Sequence, residues 1–330
     1  MKPKWASVLR RVAPVRKLRH HPTPGLEGNV CAFELTQSAP ITLEATSGRP
    51  MIVAQGDVFL GSPGYRDSTR WLVGGPPDGG LVPGGTYWAL ADCGIVGELV
   101  GGSPLEKPYL GQVKYLGTLR DQDGEDVNIK QFAIVPEAGA GDRAAPVYII
   151  VGTSAEVGKT TAGISVIRTL RQQGHSTVIV LKATGVASVR ELTIYQDFGA
   201  AHTFDFVDFG VPSTCPANRS DMQPVFESML ATCLSMRADA VLVECGSDML
   251  GANVPVALQC TLGKRPGAKV ILAAGDPLSA LGGKQVLQEM GVSVSLITGP
   301  CTDTPTALQR TQSLCGIPAV ARSGNLQALF

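Results

Sequence analysis

A chain of 330 residues with 28 basic and 28 acidic side chains carries no formal net charge, which excludes a general attraction to nucleic acid or to an anionic membrane surface. With 44% hydrophobic and 17% charged residues it is no disordered polyelectrolyte, and its length suffices for two domains with cores of their own. No apolar run approaches the roughly 18 residues of a membrane span and no secretory apolar segment follows the first lysines, so a cytoplasmic protein is expected.

In chain order, residues 1–25 open with MKPKWASVLRRVAPVRKLRHH, which holds seven Lys or Arg and no acid. This reads as a basic arm, either solvated or partly ordered, or else docking a partner subunit or a polyanion. Residues 26–145 alternate apolar and polar side chains in short runs such as CAFELT, MIVAQGDVFL and QVKYLGTLRD, punctuated by Gly and Pro. Many short strands joined by turn residues predict a smaller antiparallel β domain, a barrel or sandwich, with a hairpin around Asp123-Gly124. PEAGAGDRAAP, residues 136–146, has a linker's composition.

From 146 to 330 strands alternate with helices. Strands are predicted at 147–151, 177–182, 204–208, 240–244, 268–273, 292–298 and 319–322, and helices at 159–173, 222–237, 277–290 and 304–314. In the first of these helices Ile164, Ile167 and Leu170 share a face, and Gly174 stands where a helix C-terminus favours glycine. Strands spaced by helices predict an α/β domain: a doubly wound, mostly parallel sheet covered on both faces. The eight cysteines include no C-x-x-C pair and the four histidines show no metal-ligand spacing, so buried, reduced thiols are expected rather than zinc or disulfides.

The chemistry concentrates in VYIIVGTSAEVGKTTAGISVIRTL, residues 147–170. A strand delivers a glycine, five residues follow, then Gly-Lys-Thr-Thr opens a helix. Peptide N–H groups of such a loop curl around an anion, and the helix N-terminus adds its positive end. Gly152, Thr153, Ser154, Ala155, Glu156, Val157, Gly158, Lys159, Thr160 and Thr161 are therefore expected to bind nucleotide phosphates. The Lys159 ammonium, taken to lie on a solvated loop, would meet the β and γ phosphates, and the Thr160 hydroxyl would ligate Mg2+.

Five intervening residues, rather than four, make GTSAEVGKTT resemble the P-loop of dethiobiotin synthetase and its relatives. VIVLKATG, with Lys182, Thr184 and Gly185, is similar to that family's second strand, and VLVECGSDMLG, with Glu244, Gly246 and Asp248, to its later acidic strand end. The same features, with Asp205 and Asp208 in DFVDFG between them, resemble the P-loop half of the DUF1611 family, which includes D-glutamate N-acetyltransferases. The resemblance covers the C-terminal half only. It departs from pattern at Cys245, followed by Ser247-Asp248. The guanine-reading N-K-x-D is absent, with Thr298, Gly299 and Asp303 in LITGPCTD instead, so ATP is favoured over GTP. Thr153 stands where dimer-forming partitioning ATPases carry a further lysine.

The resemblance implies a P-loop NTPase fold and an enzyme using ATP and Mg2+ to phosphorylate or activate a small, carboxylate-bearing metabolite. Lys159, Lys182 and Glu244 would be catalytic, with Thr160, Glu244 and Asp208 or Asp205 serving the metal. Lys182 is expected on the strand adjacent to the one feeding the loop, facing an anionic substrate across the crevice. Arg190 and Arg219 are further candidates for a substrate carboxylate, whereas Asp92 and Cys93 read as a strand turn with a buried thiol. Alternatives are an N-acyltransferase whose loop holds carrier phosphates, and an accessory NTPase that switches a partner protein. A homo-oligomer is expected; nucleic acid and membrane are not.

Overall fold

The computed structural model describes residues 3–12, 20–102, 111–136, 145–217, 219–322, 324 and 326. The chain forms two units, one of Met1–Ile134, Val186–Arg190 and Phe206–Pro216, the other of Val135–Gly185, Glu191–Asp205 and Ala217–Phe330. The path therefore crosses from the second unit to the first and back twice after the linker.

In the first unit the alternating runs become strands β1 (Cys31–Leu35), β2 (Val58–Pro63), β3 (Thr86–Ala89), β4 (Ile95–Gly102) and β5 (Gly111–Leu119). β2 pairs with β1, β1 with β5, β5 with β3 and β3 with β4, all antiparallel. A parallel pairing of β4 with β2 closes the circuit into a barrel. Period-two alternation turns Phe33, Phe59, Val96, Val113 and Tyr115 into one core cluster, where the Phe33 ring lies 5.5 Å from Phe59 and 5.6 Å from Tyr115 between centroids. A hairpin of Ile41–Glu44 and Pro50–Val53 adds Ile41, Leu43, Met51 and Val53 to that cluster. At the expected turn, Asp121 N donates to Glu125 O at 3.0 Å and Gly124 takes φ +85°.

Of the readings of the basic arm, its described part is ordered and packed rather than solvated. Lys4–Trp5 pairs parallel with β2, and Ala6, Val8, Leu9 and Val12 are buried. Apolar residues interspersed among the cations give this stretch a side that folds into the unit. Residues 13–19 of the arm lie outside the described residues.

The second unit contains β6 (Val147–Gly152), α1 (Lys159–Gln172), β7 (Val178–Thr184), α2 (Val189–Asp197, its first two residues in the first unit), β8 (His202–Asp205), α3 (Met222–Ser235), β9 (Ala240–Cys245), α4 (Val254–Lys264), β10 (Lys269–Ala273), α5 (Pro277–Glu289), β11 (Val294–Thr298) and α6 (Pro305–Cys315). The sheet order is β8-β7-β9-β6-β10-β11, parallel throughout. Ile149 and Ile150 point to opposite faces, and both are wholly buried. On one face Ile150, Val180 and Leu242 pack with Val166, Ile167 and Leu170 of α1 and Tyr195 of α2. On the other, a Cβ at Gly283 of α5 would come 3.3 Å from Leu272. The α/β reading with a doubly wound parallel sheet and a separate, mainly antiparallel unit is thus what the chain folds into.

Four expectations are corrected. Strand β8 ends at Asp205, and residues Phe206–Phe209 form a 3-10 turn instead of continuing it. Ala319 forms an isolated bridge to Ile297, so 319–322 is not a strand. Helices α2 and α4 had no counterpart in the pattern reading. Finally, β7 is not adjacent to β6, because β9 lies between them and pairs with both.

Candidate functional site

β6 runs into Gly152, where space is closed: a Cβ would stand 2.9 Å from Lys159 Cδ and 3.0 Å from its Nζ. Thr153 N donates to Ala273 O of β10 at 3.0 Å, which anchors the departing loop. Glu156 and Gly158 take φ +60° and +87°, so the chain turns through left-handed backbone just before α1. Lys159 starts α1 and folds back under the loop, donating to Ser154 O at 2.8 Å and Ser247 O at 2.7 Å. The ammonium is buried, not solvated as expected, because the loop closes over it. Burial pulls its pKa down, while Glu244 and Glu191 act in the opposite direction.

The strand order explains the rest of the cluster. Glu244, near the end of β9, is level with Ile150 of β6 on one side and Lys182 of β7 on the other. Thr160 Oγ1 donates to Glu244 Oε1 at 3.4 Å, and the Tyr195 hydroxyl donates to Glu244 Oε2. Lys182 Nζ is ion-paired with Glu191 Oε2. Burial and then the charge of Glu191 push the Glu244 carboxyl above its ordinary range. Burial acts to lower Lys182, yet Glu191, Glu244 and Asp205 outweigh it and hold the ammonium above its ordinary value. Burial and Glu244 raise the Tyr195 phenol, which therefore stays a proton donor.

Glu191 and Tyr195 escaped the sequence reading. Four apart on α2, they project from the same helix face. The signal that could have found the helix is Ser188-x-x-Glu191, a capping signature at its start.

Further loops complete the edge. Thr184 Oγ1 donates to Gly246 O at 2.9 Å, and a Cβ at Gly246 would lie 2.3 Å from Thr184 O. Asp248 Oδ1 accepts from Leu250 N and Gly251 N at 2.9 Å each, so this acid shapes its own loop. Asp205 is wholly buried opposite Lys182 in the register. Asp208, expected at the metal, belongs to the first unit, where its carboxylate lies 2.8 Å from Arg10 and 4.0 Å from Arg11. The 3-10 turn after Asp205 carries it there. Arg219 pairs with Asp221 at 2.8 Å, Arg190 lies in the first unit, and Cys93 is a buried thiol there.

Among the described residues no group of three or more His, Cys, Asp or Glu could hold a metal. The oxygens of Thr160 and Glu244 are nevertheless hard donors of the kind Mg2+ takes when it keeps waters and phosphate oxygens for its remaining positions. The buried ammonium at a glycine-walled helix N-terminus likewise fits a phosphate chain. No helix among the described residues is long and apolar enough to cross a membrane.

No protein-family model matches the chain, and neither does any curated protein. Among solved structures, the signal recognition particle receptor FtsY from Elizabethkingia anophelis is similar at 20% identity and TM-score 0.37, covering 58% of this chain and 64% of that one. The chain thus spans less than two thirds of that receptor's length. Chloroplast FtsY from Physcomitrella patens is similar at 15% identity and TM-score 0.40, covering 61% and 70% of the two chains. The signal recognition particle 54 kDa protein from Aeropyrum pernix, in complex with GDP, is similar at 14% identity and TM-score 0.39, covering 55% and 42%. Likenesses at these scores carry no inference about activity, which has to come from the geometry of the loop and the strand ends.

Proposed function

We propose that the second unit binds a nucleoside triphosphate, ATP, with Mg2+ at residues 152–161, and that the protein uses it to phosphorylate or activate a small anionic metabolite. The observation that carries this reading is Lys159. Its buried ammonium touches two neutral carbonyls beneath a glycine-walled loop that opens a helix. A cation built in at that position matches an anion with many oxygens far better than it serves a core.

Bound Mg2+ supplies neutralisation of phosphate charge. The remaining work belongs to the chain. Lys159 lends positive charge where negative charge develops on the transferring group, and peptide N–H groups of the loop orient the phosphates. Thr160 and Glu244 would hold the cation, and Tyr195 fixes the orientation of the Glu244 carboxylate. Lys182, kept charged by its acidic neighbours, offers a fixed cation at the strand ends for a substrate anion.

A second reading, an NTPase that switches a partner protein, is favoured by one observation: α2, which bears Glu191 and Tyr195, begins in the first unit. Calorimetric titration with ATP and GTP, with and without Mg2+, tests nucleotide binding. ADP release across a panel of small acids then separates the readings. Turnover with one acid supports the metabolite enzyme, hydrolysis stimulated by a protein alone supports the switch, and no binding of either nucleotide overturns both.

A further inference from the structure

We infer that the ion pair between Arg322 and Asp303 selects the purine at the nucleotide site, admitting adenine and rejecting guanine. The inference rests on the nucleotide reading of residues 152–161, and every residue it uses belongs to the second unit.

Strand order says where a base would lie. β9 and then β7 stand to one side of β6, and they bring Glu244 and Lys182 level with each other. A terminal phosphate at Lys159 and Thr160 faces that charged side. The rest of the nucleotide then extends the other way, over the ends of β10 and β11. There the segment after β11 meets the phosphate loop: a Cβ at Gly299 would stand 2.5 Å from Ala274 O and 2.9 Å from Val157 O. A 3-10 turn over Pro300–Thr302 follows, and Asp303 N donates to Pro300 O at 3.2 Å, which sets Asp303 just past the turn.

Arg322 comes to the same place from further along the chain. Its carbonyl accepts from Ser165 Oγ of α1 at 2.9 Å. Its side chain lies along the phosphate loop, where a Cβ at Gly158 would come within 2.8 Å of Arg322 Cδ. The guanidinium holds both carboxylate oxygens of Asp303, Nε to Oδ1 at 2.9 Å and Nη2 to Oδ2 at 2.5 Å. Nη1 has no hydrogen-bond partner among the described residues, and it lies 3.8 Å from that same Cβ position. The two side chains are about one-third exposed, so a ligand can reach them. A pair so exposed adds little to stability, whereas its place beside the opening of α1 suits a ligand.

The chemistry of the pair separates the purines. A carboxylate only accepts, and guanine presents two adjacent N–H donors, at N1 and at the 2-amino group, which a free carboxylate would match. Here Arg322 already occupies both oxygens. Guanine thus meets an acid with no oxygen to spare, and its N1–H meets the N–H groups of Nη1, donor against donor. Adenine carries an acceptor at N1, which can take a hydrogen bond from Nη1, and the planar guanidinium offers a face for the ring to stack on.

Calorimetric titration of the full chain with ATP, GTP and inorganic tripolyphosphate, each with Mg2+, tests this in the parent, in Arg322→Ala and in the double variant Arg322→Ala with Asp303→Ala. The parent should prefer ATP. Arg322→Ala frees Asp303, so the ratio of ATP to GTP affinity should fall about tenfold or more. Tripolyphosphate has no base and reports any change in phosphate binding common to both nucleotides. The double variant should lose the swing towards GTP. Arg322→Lys keeps the charge but not the two-pronged grip, and its ratio should fall between parent and Arg322→Ala. An unchanged ratio in Arg322→Ala, or losses equal for ATP, GTP and tripolyphosphate, would overturn the inference while leaving the nucleotide site standing. A swing that persists without Asp303, or a parent that prefers GTP, would overturn it too. A parent that binds none of the three overturns the nucleotide reading and this inference together.

Discussion

In the barrel unit the buried Glu44 faces hydroxyls and backbone N–H groups, and Asp208 faces two arginines. At the strand ends of the second unit Lys159, Lys182, Glu244 and Tyr195 crowd together with Glu191, whose charge acts on all four. The first arrangement gives each carboxylate its own set of donors. The second holds two carboxylates and two ammonium groups in one patch, all but Glu191 buried, with burial and neighbouring charges acting in opposite directions. Such mutual dependence serves a core poorly, and it is what poised chemistry requires.

If that contrast is right, a lesion in the barrel core should damage stability and spare chemistry. Phe33→Ala, which empties space between Phe59 and Tyr115, should lower unfolding free energy by about 3–5 kcal/mol in a urea titration. The nucleotide affinity of the folded fraction should stay parental; a parallel loss would mean the barrel core itself shapes the loop. Lys159→Ala is the complementary lesion. Turnover should fall by about 10² to 10³, or about 2.7–4 kcal/mol of transition-state stabilisation, with circular dichroism unchanged. Parental turnover in that variant would remove the loop from the mechanism.

Glu244→Gln should cost less, about tenfold in Mg2+ affinity, while nucleotide affinity without Mg2+ holds. It also carries a pH signature. Burial raises the Glu244 carboxyl, so the acid is protonated at low pH and must lose that proton before it can serve a cation. Mg2+ affinity of the parent should therefore strengthen as pH rises through the elevated pKa, and the Gln variant should be flat. Parallel pH profiles would show that Glu244 does not face the metal.

The smallest effect is a difference of rates between two inert thiols. Burial pushes Cys31 in the barrel and Cys245 beside Glu244 each up to about 12. Neither should react with iodoacetamide until the protein opens, and the partly exposed Cys260 should be alkylated first. Local opening of the site should then label Cys245 ahead of Cys31, and nucleotide should slow only the former. Equal rates, unaffected by nucleotide, would mean both thiols await global unfolding.

The shape of the loop was legible because its demands are contiguous in the chain: Gly152 where Lys159 must pass, Gly158 in left-handed backbone, Lys159 opening α1. Alternation of strands and helices was legible for a similar reason, since periodicity is local. What escaped depends on residues far apart in the chain. The interposition of β9 between β6 and β7 is decided by packing over the whole sheet, so the neighbour of Lys182 could not be read from its own strand. The parallel pairing of β2 with β4 that closes the barrel has no local signature. Helix α2 is short, which hid both the helix and the residues upon it, although Ser188-x-x-Glu191 marks its start. Asp208 was read as the end of a strand because an acidic stretch looks alike whether it continues the strand or turns away from it.

The crossing of the chain between units also bears on how this protein can be cut and inherited. A break at the compositional linker, residues 136–146, looks like the natural place to divide it. The N-terminal piece would then lack Val186–Arg190 and Phe206–Pro216. Glu44 would lose three of its four donors, and Arg10 would lose Asp208. Neither half is a transferable cassette, so an ancestor could not have gained the barrel by simple fusion at its front without also remodelling two loops of the sheet. Lineages that lose the barrel should show those two loops rebuilt, and a laboratory fragment should include them or be expected to misfold.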